Sequence, residues 1–318
     1  MLDLKYVVAN LDEVRNRLAG RGKIEALDKV TDLAARRSAT IQELEELRRR
    51  QNEANAEMKR LVAEKGPQST EFIEKRNQQK EQSEKTKDLE KALRDIEDEL
   101  QNLMLNIPNL PHATTPIGKD ENDNPTIRKH LEPRALDFTP QLHDDLGVKL
   151  DILDFERAAK LSGARFTVLK GNGARLERAL INFMLDIHTR EHGYTEILPP
   201  FLVTRKTLTG TGQLPKFEED LFKTFATERE LFLIPTAEVP LTNLYAEEIV
   251  AAETLPLRLC AYTPCFRSEA GSYGKDTRGY IRQHQFNKVE LVHICRPEDS
   301  YNELELLTSN AEEILKRL

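Results

Sequence analysis

Two long stretches without glycine or proline, residues 27 to 64 and 69 to 105, flank a single Gly66-Pro67 break, and they leave the first third of the chain few ways to fold. Ala, Arg, Glu, Leu and Gln dominate them, residues that lose little rotamer freedom in a helix. The pattern predicts two helices of about 38 residues joined by a tight turn and therefore antiparallel, each roughly 57 Å long at the rise of an α-helix. In the second stretch Leu89, Leu93, Ile96, Leu100 and Leu103 alternate steps of four and three, as a coiled-coil seam requires, and Leu27, Val30, Ala34, Ile41 and Leu44 keep a similar register in the first. Followed toward the turn, the same registers reach Arg48, Gln51 and Asn55 on one side and Gln79, Gln82 and Thr86 on the other. Periodicity alone leaves a solvated spacer or a dimerising coil open. A self-associating coil normally keeps its seam apolar throughout, whereas a polar outer seam suits an arm that meets a partner. Arg36, Arg37, Arg48, Arg49, Arg50, Lys59 and Arg60 stand ready for phosphates, with nearly as many acidic residues among them.

Charged residues are 32% of the 318, yet the formal net charge is −7, which excludes whole-surface attraction to nucleic acid and permits only local basic patches. Cys260, Cys265 and Cys295 are unevenly spaced and contain no Cys-x2-Cys pair, so a reducing cytosol fits better than a disulfide framework. Asp3, Asp12 and Glu13 argue against a leader peptide, and no apolar run reaches the roughly 20 residues of a membrane helix. The expectation is a soluble, cytoplasmic protein with no membrane partner.

Residues 1 to 25 read as a short strand or turn and then a small helix, with Asn10 as N-cap before Leu11, Val14 and Leu18. Residues 106 to 165 are rich in proline and polar residues, with a short helical stretch expected between Phe138 and Phe155. From Arg165 the pattern becomes globular. Phe166 to Leu169 reads as a strand, and Ala174 to Glu191 as an amphipathic helix burying Leu176, Leu180, Phe183, Met184 and Ile187. Thr195 to Leu198 reads as a strand stopped at Pro199-Pro200.

Leu257 to Glu269 and Arg282 to Cys295 are strand-like segments around a loop of Gly, Ser, Tyr, Lys and Arg. Alternation puts Arg267 and Glu269 on one face, and Phe286, Lys288 and Glu290 on one face of the returning strand. If the faces coincide, an arginine, an aromatic ring and two carboxylates converge, a set suited to a nucleoside triphosphate and an amino acid. Lys275, Arg278 and Arg282 add charge for phosphates or an RNA end. Spacing alone fits a solvated sheet edge equally well, its ion pairs worth at most about 1 kcal/mol each.

The wording goes further. Thr263-Pro264-Cys265-Phe266-Arg267-Ser268-Glu269, Gly271, Gly279-Tyr280-Ile281-Arg282-Gln283-His284-Gln285-Phe286 and Val289-Glu290 resemble motif 2 of the class II aminoacyl-tRNA synthetases, most of all the bacterial-type seryl enzymes. Ala174 to Pro200 looks like motif 1, Pro235-Thr236-Ala237-Glu238 looks like the Thr-Ala-Glu element of that family's amino-acid pocket, and the arm is similar to its tRNA-binding arm.

The resemblance implies an α+β chain: a long antiparallel helical arm, then a class II antiparallel sheet flanked by helices. It implies an arm domain at 1 to 106, a linker at 107 to 165, and a catalytic domain from 166 to 318 with motif 1 at about 174 to 200 and motif 2 at about 257 to 295. It implies a serine–tRNA ligase that activates L-serine with ATP and Mg²⁺ and charges tRNA(Ser), with tRNA(Sec) as a further substrate, as a homodimer through motif 1. Arg267 is then the catalytic residue. Arg267, Ser268, Glu269, Arg282 and Phe286 take ATP, and Thr236, Ala237, Glu238 and Glu290 take serine. Arg36, Arg48, Arg49, Arg50, Lys59, Arg60, Lys275 and Arg278 are candidates for tRNA. The third motif is expected beyond the helix at Asp299 to Leu318, inside which the sequence stops, so the catalytic domain reads as incomplete. An inactive tRNA-binding or dimerising fragment is one alternative. A carrier-protein aminoacylating paralogue is another, disfavoured because it would lack the arm and use zinc. No zinc or other resident metal is expected, and His188, His192, His284 and His293 read as polar or packing residues.

Overall fold

The computed structural model describes residues 1–22, 24–225, 228–269 and 279–318. They divide into two units, Met1–His130 and Leu131–Leu318. No helix among the described residues is long and apolar enough to cross a membrane.

The first unit is built on two long helices, α3 (Ala26–Lys65) and α4 (Thr70–Asn106), with α1 (Leu4–Ala9) and α2 (Leu11–Leu18) at their base. The reversal between α3 and α4 uses Gly66 at φ +79°, a conformation that favours glycine. Ser69 then caps α4 by accepting from the Phe72 amide at 3.4 Å. Val7, Val14, Leu18, Leu27, Val30, Leu33, Ile96, Leu100, Met104 and Ile107 form one core cluster at the base. Farther out on α3 only Leu44 and Leu47 are buried, and past them Gln79 Nε2 donates to Asn55 Oδ1 across the seam. Arg37–Glu97, Lys85–Glu43 and Arg48–Glu90 tie the helices at 2.7, 2.8 and 2.9 Å, and Lys75–Glu57 does so toward the turn.

Three details differ from the sequence reading. The expected strand or turn at the start is helix α1, capped by Asp3, whose carboxylate accepts from the Tyr6 amide at 2.9 Å. Asn10 joins α1 to α2 without capping, because its side-chain amide donates to the Tyr6 carbonyl. Met104, not Leu103, is buried at the base of α4, since a straight helix of 3.6 residues per turn drifts from a strict seven-residue repeat.

In the second unit, α5 (His143–Lys149) falls within the expected stretch. The short pair β1 (Leu153–Asp154) and β2 (Val168–Leu169) brackets α6 (Phe155–Ser162). Helix α7 (Asn172–Arg190) follows, and Gly173 is required near its start because a Cβ there would stand 2.6 Å from the Ile152 carbonyl. Leu176, expected to be buried, is 57% exposed, and full burial on α7 is confined to Gly173, Ile187 and His188.

One sheet pairs β3 (Thr195–Glu196) parallel with β7 (Leu257–Phe266), and β7 antiparallel with β8 (Gln285–Ile294) over ten rungs. The other orders β4 (Leu202–Val203), β6 (Leu231–Leu233) and β5 (Lys223–Thr224), with α8 (Arg205–Gly210) between β4 and β5 in sequence. Phe232, Ile234, Leu208 and Val239 fill the core beneath the second sheet. Helix α9 (Glu238–Asn243) buries Leu241 against Leu259 and Ala261 of β7.

Behind the first sheet lies a buried polar chain. The Nδ1 atoms of His188 and His192 are 3.1 Å apart, so one carries the proton and the other accepts it. The Tyr194 hydroxyl, stacked edge-on against His188, accepts from Asn310 at 3.0 Å and shares a 2.6 Å bond with His293 Nε2. His293 Nδ1 pairs with Glu303 at 2.8 Å, and Arg258 grips the same carboxylate with two nitrogens. These contacts pin α10 (Ser300–Arg317) to β7 and β8. Burial, with His192 beside it, lowers the His188 pKa to about 4, and burial lowers that of His293 too, against the pull of Glu303.

Two outcomes follow from this packing. Leu100→Ala, deleting a side chain that is 4% exposed, is expected to cost about 2–5 kcal/mol in denaturant unfolding, whereas Gln79→Ala in the polar outer seam costs under about 1 kcal/mol. The reverse order would place the arm's stability in its outer half. A base whose folded pKa is depressed binds its proton in the unfolded chain first, so His188 contributes stability that is complete above pH 6.5 and lost as the pH falls toward about 4. Its share is on the order of 3 kcal/mol. Chemical denaturation across that window should slope downward with acid, and His188→Gln should flatten the slope; an unchanged slope refutes the assignment.

Candidate active site

Strand β6 runs directly into Ile234-Pro235-Thr236, and two backbone hydrogen bonds fix where that segment lies. The Ile234 amide donates to Phe201 at 3.0 Å, and the Ile234 carbonyl accepts from the Phe266 amide at 2.9 Å. The end of the second sheet is thereby joined to the end of β7. One residue on, the Arg267 amide donates to the His284 carbonyl at 3.0 Å, continuing the β7–β8 ladder past the strand.

The ladder's register decides which side chains share a face. Cys265 lies opposite Phe286, Thr263 opposite Lys288, and Ala261 opposite Glu290. With side chains alternating, Arg267, Phe286, Lys288 and Glu290 stand on the same side. The Arg267 guanidinium sits 5.1 Å from the Phe286 ring centre and donates through Nε to the Pro235 carbonyl at 3.3 Å. Thr263 and Cys265 on this face are fully buried, and burial raises the Cys265 thiol pKa; burial also pushes the thiol of Cys260, on the other face of β7, up to about 11. His284 supports the backbone of the site, its Nδ1 3.0 Å from the Arg267 carbonyl and its ring between Phe166 and Phe222.

These elements enclose a cleft of about 480 Å³ lined by Thr236, Glu238, Arg267, Glu269, Arg282 and Lys288, together with Gln213, Phe217, Asp220, Leu221 and Pro235. Glu269, at φ +52°, turns its carboxylate to Arg282 at 2.8 Å. Thr236 Oγ1 donates to Glu290 Oε2 at 2.5 Å and accepts from Lys288 Nζ at 2.7 Å, while Lys288 also pairs with that carboxylate. Glu238 is exposed at the cleft, and its amide donates to Thr236 Oγ1 at 3.1 Å.

Of the expected site residues, the fold brings together Arg267, Glu269, Arg282, Phe286, Thr236, Glu238 and Glu290. Two serve differently at close range. Ser268 gives its hydroxyl to the Glu219 carbonyl at 2.5 Å and its amide to Asp220 at 2.9 Å, holding a loop in place. Ala237 is fully buried in the cluster with Leu241, Leu259 and Ala261, beneath the cleft and not in it. Lys275 and Arg278 lie outside the described residues. Sequence reasoning missed Gln213, Phe217, Asp220 and Leu221, because no spacing in that loop points to the cleft; the hydrogen bonds from Ser268 to Glu219 and Asp220 help bring it there.

In the other unit, Arg48 is engaged with Glu90, Arg49 with Glu46 and Glu53, Arg50 with Glu46, and Arg60 with Glu64. Arg36 and Lys59 have no carboxylate partner among the described residues.

A guanidinium braced on an aromatic ring can receive an anion, and a nearby exposed carboxylate can receive a cation. The cleft is therefore polarised for a zwitterion or for an anionic and a cationic group side by side.

Comparisons with known proteins show what the chain is similar to. Residues 1–111 match the family model of the seryl-tRNA synthetase N-terminal domain, and residues 222–318 match that of the tRNA synthetase class II core domain (G, H, P, S and T). The serine–tRNA ligase of Desulforapulum autotrophicum is 52% identical over 318 residues, all of this chain and 73% of the relative. That of Syntrophomonas wolfei is 53% identical over the same share. Among solved structures, the seryl-tRNA synthetase of Pyrococcus horikoshii complexed with ATP superimposes with a TM-score of 0.86 at 34% identity, over all of this chain and 75% of that one. The cytoplasmic serine–tRNA ligase of Naegleria fowleri in complex with AMP gives 0.80 at 25% identity, covering 98% and 75%.

Proposed function

Since the chain belongs to the seryl-tRNA synthetase family of class II aminoacyl-tRNA ligases, we propose that its cleft is where L-serine and ATP are joined, with the convergence of Arg267, Phe286, Thr236, Glu238 and Glu290 as the observation that carries the reading. A serine carboxylate oxygen attacks the α-phosphorus, the bond to the β-phosphate breaks, and seryl-adenylate and pyrophosphate form. The terminal ribose hydroxyl of tRNA(Ser) then attacks the seryl carbonyl and AMP leaves; tRNA(Sec) is a further acceptor of the same kind. No covalent enzyme intermediate is required, so catalysis rests on positioning and on charge placed in advance.

Arg267 is the catalytic residue in this reading, holding the serine carboxylate and the α-phosphate while Phe286 stacks on the adenine. Glu269 and Arg282 face the nucleotide, Glu238 takes the serine ammonium, and Glu290, held in place by Thr236, reads the hydroxyl. A site built to hydrogen-bond a hydroxyl rejects the analogue lacking it, because its own polar groups are left unpaired. Mg²⁺ enters as part of the ATP complex and supplies charge neutralisation. The cleft carboxylates Asp220 and Glu269 fit a cation that takes most of its ligands from phosphate and water.

We place the tRNA-binding arm domain at 1 to 106, the linker at 107 to 165 and the catalytic domain from 166, with Arg36, Arg48, Arg49, Arg50, Lys59 and Arg60 as the arm's phosphate contacts. The homodimer would form on motif 1, where Leu176 and Leu198 are 57% and 79% exposed in the single chain. Sedimentation should then give the mass of two chains. A cytoplasmic setting belongs to the same reading, consistent with three free thiols.

Serine-dependent ATP–pyrophosphate exchange tests the core of this. Arg267→Ala is expected to slow exchange by at least about 100-fold, the loss typical of removing one preorganised donor from a developing charge. A rate within a few-fold of the parent would remove Arg267 from the chemistry. Arg36→Glu with Lys59→Glu should raise the KM for tRNA(Ser) and leave exchange unaltered. An unchanged KM for tRNA(Ser) would mean that these residues are not tRNA contacts.

A further inference from the structure

Lys288 lies on the returning strand of motif 2 and has no role in the proposed reaction, yet it closes a three-membered ring of polar contacts with Thr236 and Glu290 at the cleft. Thr236 is 5% exposed, and its hydroxyl gives its proton to Glu290 Oε2 at 2.5 Å. The same oxygen accepts from Lys288 Nζ at 2.7 Å and from the Glu238 amide at 3.1 Å. A hydroxyl has one proton and two lone pairs, so Thr236 has nothing left for a ligand. The Lys288 ammonium completes the ring by pairing with Glu290 Oε2. Among the described residues Glu290 Oε1 accepts no hydrogen bond, and Glu290 is joined to the cleft through Thr236 and Lys288, which line it.

The charges around the cleft follow from this ring. Arg267 has no carboxylate partner among the described residues, and neither has Glu238 a cation. Glu290, by contrast, is already neutralised by Lys288. Among the described residues the cleft therefore offers Arg267 as a cation, Glu238 as an anion and Glu290 with Lys288 as an electrically balanced pair with a free acceptor, beside Asp220 and the Glu269–Arg282 pair. An α-amino acid with a hydroxyl side chain presents the matching set: a carboxylate, an ammonium and a neutral donor.

We infer that Lys288 is a specificity-determining residue: by cancelling the charge of Glu290, it makes that carboxylate a reader of a neutral hydroxyl and bars a second ammonium. A cationic side chain brought to Glu290 Oε1 would meet Lys288 at close range, and like-charge juxtaposition is a strong means of excluding a wrong ligand. With that ammonium gone, Glu290 becomes a bare anion that favours a cation over a hydroxyl. The inference rests on the reading that the cleft activates serine.

The test compares serine with 2,3-diaminopropionate, which carries an ammonium in place of the hydroxyl, in ATP–pyrophosphate exchange with the intact protein. The assay is run on the acid side of neutrality, where the second amine is substantially protonated. Lys288→Met removes the charge, Lys288→Gln removes it while keeping a donor for Thr236 and so protects the fold, and Lys288→Arg keeps the charge. The expected result is that the ratio of kcat/KM for serine to that for diaminopropionate falls by roughly 100-fold in both neutral variants, the scale on which one misplaced polar group discriminates, and holds in Lys288→Arg. A merely structural role would weaken both amino acids alike and leave the ratio in place; that outcome overturns the inference. If the unaltered protein shows no serine-dependent exchange, the proposed function fails first, a result distinct from failure of the role given to Lys288.

Discussion

The antiparallel ladder between Leu257–Phe266 and Gln285–Ile294 sets the geometry on which the cleft depends. Because side chains alternate faces, a slip of one residue would send Phe286, Lys288 and Glu290 to the opposite side of the sheet and leave Arg267 alone. The register is held from both faces. Buried Thr263, Cys265, Leu259 and Ala261 leave no room for a shifted partner, and the bonds from Arg258 and His293 to Glu303 tie the far end of the ladder to α10. The Phe266–Ile234 hydrogen bond then carries that register into the Pro235-Thr236 segment, so residues remote in sequence meet at distances set by one pairing.

Within that frame, the cleft's charges are partly spent and partly kept. Glu269 is committed to Arg282, and Glu290 to Lys288 and Thr236, whereas the guanidinium of Arg267 rests on a carbonyl and an aromatic ring. A ring face stabilises a cation without neutralising it. Arg267 is therefore oriented in advance with its charge still available to an incoming anion, the condition under which electrostatic stabilisation needs little reorganisation.

The sequence revealed periodic features well and non-local ones poorly. The Gly66-Pro67 break between two uninterrupted helical stretches leads to α3 and α4 within a residue or two at each end, because propensity, seam and turn chemistry all agree there. That Phe286, Lys288 and Glu290 share a face is legible because a two-residue period translates directly into a side of a sheet, whereas the coincidence of that face with Arg267 depends on the register of the ladder, which the spacing leaves open. The commitment of Ser268 to the Glu219 carbonyl and the burial of Ala237 were not legible, since each depends on a segment brought in from elsewhere in the chain. The first helix is not legible locally, because Val7, Val14 and Leu18 find their partners in the cluster with α3 and α4. Burial in a tertiary core overrides a weak local preference.

The arm shows how charge can be abundant and yet inexpensive to redirect. Arg48, Arg49, Arg50 and Arg60 all rest on glutamates, on exposed surfaces where solvent screens each pair and leaves it weak. Trading such a carboxylate for a phosphate therefore loses little, and the counterions released from the nucleic acid favour the exchange. The glutamates meanwhile limit the field that the bare arginines would project, in keeping with a chain whose net charge is −7. In the proposed tRNA-binding role, an arm built in this way would have little attraction for polyanions at a distance and would gain its contacts only where several phosphates match the arginine positions together. Its polar outer seam serves the same end, because Gln79 and Asn55 hold the helices together with hydrogen bonds that can readjust, while the apolar base keeps the hairpin anchored.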